Sequence, residues 1–186
     1  MKPISESEPS KDEATLNALV APLADSPWPS DAPWKRLYEY WRSKHKHGRP
    51  PARRDLDPLI EIPQIVGNLI ILDVLPDGYR FRLVGSEHSR RLGYEMTGRR
   101  VGTMGDLPSQ IKSGWIAGYD LVKQDRKPRM IISRIRAGAS AKHVLIVMPL
   151  IDANDTVDCL LVGAFYEGDF KQGSVIEGLI IQEVQI

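Results

Sequence analysis

Apolar residues fall along this chain in two patterns. Residues 69–75 (LIILDVL) and 142–151 (KHVLIVMPLI) are apolar at nearly every position, which predicts strands covered on both faces. Residues 79–85 alternate instead, with Tyr79, Phe81 and Leu83 on one face and Arg80, Arg82 and Val84 on the other. Pro76-Asp77-Gly78 separates the first two runs as a hairpin turn. Residues 129–136, 142–151 and 157–167 predict three further strands. They are joined by AGAS and by Asp152-Ala153-Asn154-Asp155, loops short enough to imply an antiparallel meander.

A helical period marks the remaining elements. Trp34, Leu37, Tyr38 and Trp41 recur at i, i+3, i+4 and i+7, an apolar stripe on a helix beginning near Pro33. Ser30 or Asp31 is placed to cap it, and Gly48 and Pro50 to stop it. The stripe fits two roles, packing on its own domain or forming a dimer interface rich in aromatics. Residues 50–68 read as a loop with a helical turn capped by Asp57. Ser86 opens a short helix that ends near Gly93. Pro108 opens the longest one, with Ile111, Trp115, Gly118, Tyr119 and Val122 on one face. The tail after residue 170 fits either an extra strand or a helix. Residues 1–13 are polar and expected to be disordered, and 14–24 carry at most a turn or two of helix before Pro22.

The chain has 186 residues, enough for one domain with extensions: 1–31, a domain over 32–167, and 168–186. A formal net charge of +1 gives no electrostatic case for nucleic acid. No apolar run is long enough for a membrane span, and the polar N-terminus does not resemble a secretory signal, so a cytoplasmic location is expected. Cys159 is the single cysteine, so no internal disulfide forms.

Several short motifs stand in order: LYEYWRSK, ARRDLDP, NLIILDV, YRFRLVGSE and LGYEMTGRR. Together they resemble the bacterial single-domain PAS family labelled PAS_5, over about residues 34–166. The matching positions are Trp41-Arg42, Asp55-Asp57-Pro58, Arg80-Arg82-Leu83-Gly85 and Thr97-Gly98-Arg99. The resemblance implies an α+β fold with a five-stranded antiparallel sheet in the order 2-1-5-4-3. It further implies helices on one face, a small pocket beneath them and a signalling role. It transfers no catalytic residues.

Candidate ligand-binding residues are Arg82, His88, Tyr94, Trp115, Tyr119 and Met148. Arg82 sits mid-strand among apolar neighbours, so its guanidinium needs an anion or an internal partner such as Asp73 or Glu87. Tyr94, Trp115, Tyr119 and Met148, with Met96 and Met104, are suited either to a pocket wall or to plain core. His88 and His143 are possible haem ligands, but the long helix carries no histidine. Flavin-binding light sensors of the implied fold carry a reactive cysteine in an Asn-Cys-Arg helix, whereas Cys159 falls in an expected strand and reads as a core thiol. His45 and His47 are spaced to face apart on a helix, so no metal site is expected. No P-loop, Rossmann fingerprint or nucleophile elbow is present.

The expected function is a non-enzymatic sensory module. It binds a small ligand of unknown identity and signals to an unidentified partner protein, with homodimerisation through Trp34, Leu37, Tyr38 and Trp41. No cofactor is named by the residues. The alternatives are a ligand-free interaction and dimerisation adaptor and, third, an uncharacterised enzyme.

Overall fold

The computed structural model describes residues 32–103, 108–135, 142–168 and 176–184. The expectations for residues 1–31, for Met104 and for the AGAS turn lie outside them.

Strands β1 (Leu69–Leu75), β2 (Gly78–Val84), β3 (Arg129–Ile135), β4 (Lys142–Ile151), β5 (Val157–Glu167) and β6 (Ile176–Glu183) form one sheet in the order β2-β1-β5-β4-β3-β6. Every neighbouring pair is antiparallel. The expected order of the first five strands is therefore present, and the tail resolves as a sixth strand beside β3. Alternating branched residues in Ile176–Glu183 bury Ile176, Leu179 and Ile181, which a solvated helical tail would leave exposed.

Helices cover both faces of the sheet, as the apolar runs of β1 and β4 predict; the face opposite the implied helical layer is covered by the N-terminal helix. α1 (Pro33–Ser43) buries Trp34, Leu37, Tyr40 and Trp41 against Ile71, Ile146, Met148, Leu161 and other residues of one face. Three of the four stripe residues thus pack on their own sheet, and Tyr38 stays half-buried. Trp41 Nε1 donates to the buried carbonyl of Pro149 at 2.9 Å. The Tyr40 hydroxyl donates to Glu61 at 2.8 Å and accepts from the Asp57 backbone N–H at 2.8 Å. These two bonds hold the short helix α2 (Pro58–Glu61) against α1. The preceding Arg53–Asp55 turn is closed by Asp55, which accepts from the Ala52 N–H and pairs with Lys46. The Asp-x-Asp-Pro motif is therefore a clasp for this layer. α1 ends at Ser43, earlier than Gly48, because His47 and Gly48 take positive φ in a tight turn bridging Lys46 and Arg49.

The opposite face carries α3 (Ser86–Leu92) and α4 (Ser109–Asp125). α4 buries Ile111, Gly114, Trp115, Gly118, Tyr119 and Val122, close to the expected face. Tyr79 of β2 donates to Asp120 of α4 at 2.6 Å, and its ring meets Tyr119 edge-on at 5.3 Å.

β2 departs from simple alternation. Ile71 pairs with Leu83 but Leu72 pairs with Phe81, so Arg82 is the extra residue of a bulge. The shift turns Leu83 outward, 44% exposed, and puts Val84 with Tyr79 and Phe81 on the α4 side. The TGRR segment then covers the free edge of β2, with the Phe81 N–H donating to Arg99 and the Val101 N–H to Tyr79.

Candidate functional site

One row of the sheet on the α3/α4 side is polar. Ser133 of β3 stands opposite His143 of β4, and His143 opposite Tyr166 of β5. Each lies two residues from an apolar residue of the same face, namely Ile131, Leu145 and Ala164. α4 brings Trp115 over this row, edge-on to His143 at 6.1 Å. α3 brings His88, whose ring lies 5.7 Å from that of His143. His143 stacks on Tyr166 at 4.8 Å and 16°. The Tyr166 hydroxyl is hydrogen-bonded to His88 Nδ1.

Burial governs the electrostatics. His88, His143 and Ser133 are all buried. Desolvation lowers the His88 pKa from 6.5 to about 4. It holds His143 well below the usual histidine range, with His88 as a second, repulsive cause. Both imidazoles are therefore neutral at pH 7, and burial raises the Tyr166 phenol far above its ordinary value. Trp115 Nε1 and Ser133 Oγ are buried polar atoms without a hydrogen-bond partner among the described residues. Such groups are costly to leave unsatisfied.

The cluster joins two of the six ligand-site residues expected from sequence, His88 and Trp115. Tyr94 packs against the same core, and Tyr119 lies one turn along α4, facing Tyr79. Met148 lies on the opposite face, under α1, with Met130 and Leu150. The β4 pleat accounts for this, because Met148 is an odd number of residues from His143.

Arg82 is not in the cluster either. It and Arg80 both pair with Asp73, a carboxylate only 5% exposed. Burial alone would raise the Asp73 pKa, but the two guanidinium groups outweigh it and hold the carboxyl below its usual range. Asp73 raises Arg82 in turn. The guanidinium thus has the internal partner weighed as an alternative to a bound anion. Cys159 lies beneath this group, buried, and burial raises its thiol to about 11.

Sequence reasoning passed over Ser133 and Tyr166 and weighed His143 only as a haem ligand. A usable signal existed. In three adjacent strands a polar or hydroxylated residue stands two positions from an aliphatic one on the same face, near the strand end.

A cleft of about 470 Å³ opens beside the cluster, between the start of α1 and α3, and is walled in part by Trp34, Arg91, Phe165 and Tyr166. A shallower recess of about 300 Å³ lies at Asp73, Arg80, Arg82 and Gly98.

The PAS_5 family of PAS domains matches residues 30–165. No curated protein matches the sequence. Among solved structures, a LOV protein of Rhodobacter sphaeroides is similar at 22% identity, over 54% of this chain and 58% of that one, with a TM-score of 0.38. An RsLOV d2 variant is similar at 19% identity, over 72% of this chain and 68% of that one, with a TM-score of 0.37. The chain spans little more than half of the first of these.

Proposed function

The chain belongs to the PAS_5 family of PAS domains, and on that premise we propose that it is a sensory and signalling module whose input is a small molecule bound at the polar row under α3 and α4. The observation that carries this reading is the pair of buried groups at Trp115 Nε1 and Ser133 Oγ, which have no partner among the described residues. Hydrogen bonds from a ligand's polar groups to these atoms would recover the cost of burying them. Such a ligand changes the packing of α3 and α4, and a protein contact reads the change. That contact is with a second copy or with a separate partner. Because Trp34, Leu37 and Trp41 are spent on their own sheet, the contact is assigned to surfaces other than that stripe. No catalytic step is assigned. Among the described residues no helix is long and apolar enough to cross a membrane.

The test is hydrogen–deuterium exchange with and without a low-molecular-weight extract of the producing cells. Slowed exchange over Ser86–Leu92 and the first turns of α4 supports the reading. Unchanged exchange there rejects it. A ligand-free adaptor is the second reading. It is favoured by the close seat of α4, where a Cβ on Gly114 or Gly118 would meet Leu179 or Ile131 at about 2.5 Å.

A further inference from the structure

The short helix α2 presents two apolar side chains to water. Leu59 is 71% and Ile60 77% exposed, and the next most exposed large apolar residue among those described, Leu83, is 44% exposed. The turn that carries them is fixed in place. Leu56 and Ile62 are buried on either side of it. The Tyr40 hydroxyl bonds both Glu61 and the Asp57 backbone N–H, and Lys44 pairs with Glu61. Arg36, Tyr40 and Lys44 follow one another at four-residue spacing, so Arg36 continues the row of α1 that faces α2. The surround is basic. Residues 35–61 hold eight Lys and Arg against four Asp and Glu, and among the described residues only Arg49 is answered by a carboxylate from outside this stretch, Asp155. Arg36, Arg42 and Arg54 are exposed and make no ion pair among the described residues.

Residues 1–31, outside the described residues, have the complementary composition. They carry six Asp and Glu against two Lys. Leu16, Leu19 and Val20 recur at i, i+3 and i+4, just after Asp12 and Glu13. The described chain begins at Ala32, at the head of α1, and Tyr40 lies about 12 Å further along that helix. The chain between Val20 and Ala32 reaches about 40 Å when extended. The size of the patch selects a tethered occupant. Two side chains fall far short of the roughly 800 Å² per partner of a stable interface. A second copy would also set the basic surround against itself. A segment of the same chain meets the patch at an effective concentration in about the millimolar range, where a small contact is populated.

We propose that residues 12–20 dock on α2, with Leu16, Leu19 and Val20 against Leu59 and Ile60 and with Asp12 and Glu13 towards Arg36 and Arg54. The inference is independent of ligand binding at the polar row, which lies on the other face of the sheet.

The test uses the full chain labelled with 15N and carrying a nitroxide at Asn17→Cys. Cys159 is buried and its thiol is raised to about 11, so the label goes to the new cysteine. The amide signals of Leu59, Ile60 and Glu61 are expected to lose most of their intensity relative to the reduced label. Those of Ser109–Asp125, on the opposite face, are expected to keep theirs. Leu59→Ser combined with Ile60→Ser changes two exposed positions and is expected to restore the Glu61 signal. Sodium chloride at about 0.5 M is expected to restore part of it as well. The proposal is overturned if α2 keeps its intensity, if the double variant leaves Glu61 broadened, or if salt has no effect. A mixture of 15N chain without nitroxide and 14N chain with nitroxide reports contacts between copies. Broadening of α2 in that mixture as strong as within one chain also overturns the proposal, and would assign the patch to a second copy.

Discussion

Tyr166 and His88 stand 78 residues apart in the chain, yet the phenol hydroxyl is hydrogen-bonded to the imidazole Nδ1 on the face covered by α3 and α4. The bond ties the end of β5 to α3 and places a titratable ring where water does not solvate it.

Acid should therefore weaken the fold before the carboxylates do. His88 has a folded pKa of about 4 against 6.5 ordinarily, so the unfolded chain takes up the proton first. Its contribution is fully present above pH 6.5 and is lost as pH falls towards 4, by about 3 kcal/mol. His143 acts in the same direction. Paired carboxylates such as Glu87, lowered from 4.5 to about 2, lose their contribution only at lower pH. Urea unfolding between pH 7.5 and 5 is expected to show a falling midpoint. His88→Asn should remove about one proton from that slope.

Gly85 closes the Arg-x-Arg-Leu-x-Gly motif for a steric reason. Its N–H donates to the Leu69 carbonyl at 2.7 Å, and a Cβ there would lie 2.3 Å from the Gly67 carbonyl oxygen. Both obstacles are backbone, so neither can rotate away. Gly85→Ala is expected to cost about 3 kcal/mol in chemical denaturation.

Trp41 holds α1 to the sheet by packing and by one buried hydrogen bond to Pro149. Trp41→Phe retains most of the ring and strands the carbonyl, with an expected loss of about 1–2 kcal/mol. Trp41→Ala also opens a cavity, and about 3–5 kcal/mol is expected. Equilibrium unfolding of the two variants separates the terms.

Asp73 answers two arginines, but the arginines are half exposed and the carboxylate is not. Asp73→Asn is expected to destabilise the protein by about 2 kcal/mol, because the amide cannot satisfy both cations. Arg82→Ala should cost under about 1 kcal/mol, since Arg80 remains and exposed pairs are weak. Thermal melts of both variants would check this asymmetry.

The strands were legible because their periods are long and clean. β1 and β4 read as doubly covered, and both are. The sheet order was legible only through the resemblance, since no single-strand pattern encodes a neighbour. The Arg82 bulge was invisible, because a one-residue register shift leaves the residue types of β2 unchanged. The polar row was hidden for a similar reason. Ser133, His143 and Tyr166 come from three strands, and only the pairing of those strands brings them into line. Met148 shares a residue type with the pocket candidates but not their face, because it stands an odd number of residues from His143 along β4.

The most direct measurement is native mass spectrometry of the protein incubated with the small-molecule extract, for wild type and Trp115→Phe. The sensory reading predicts a bound mass on the wild type that the variant, lacking the indole N–H, largely loses. A bare polypeptide mass for the wild type in that extract would contradict it.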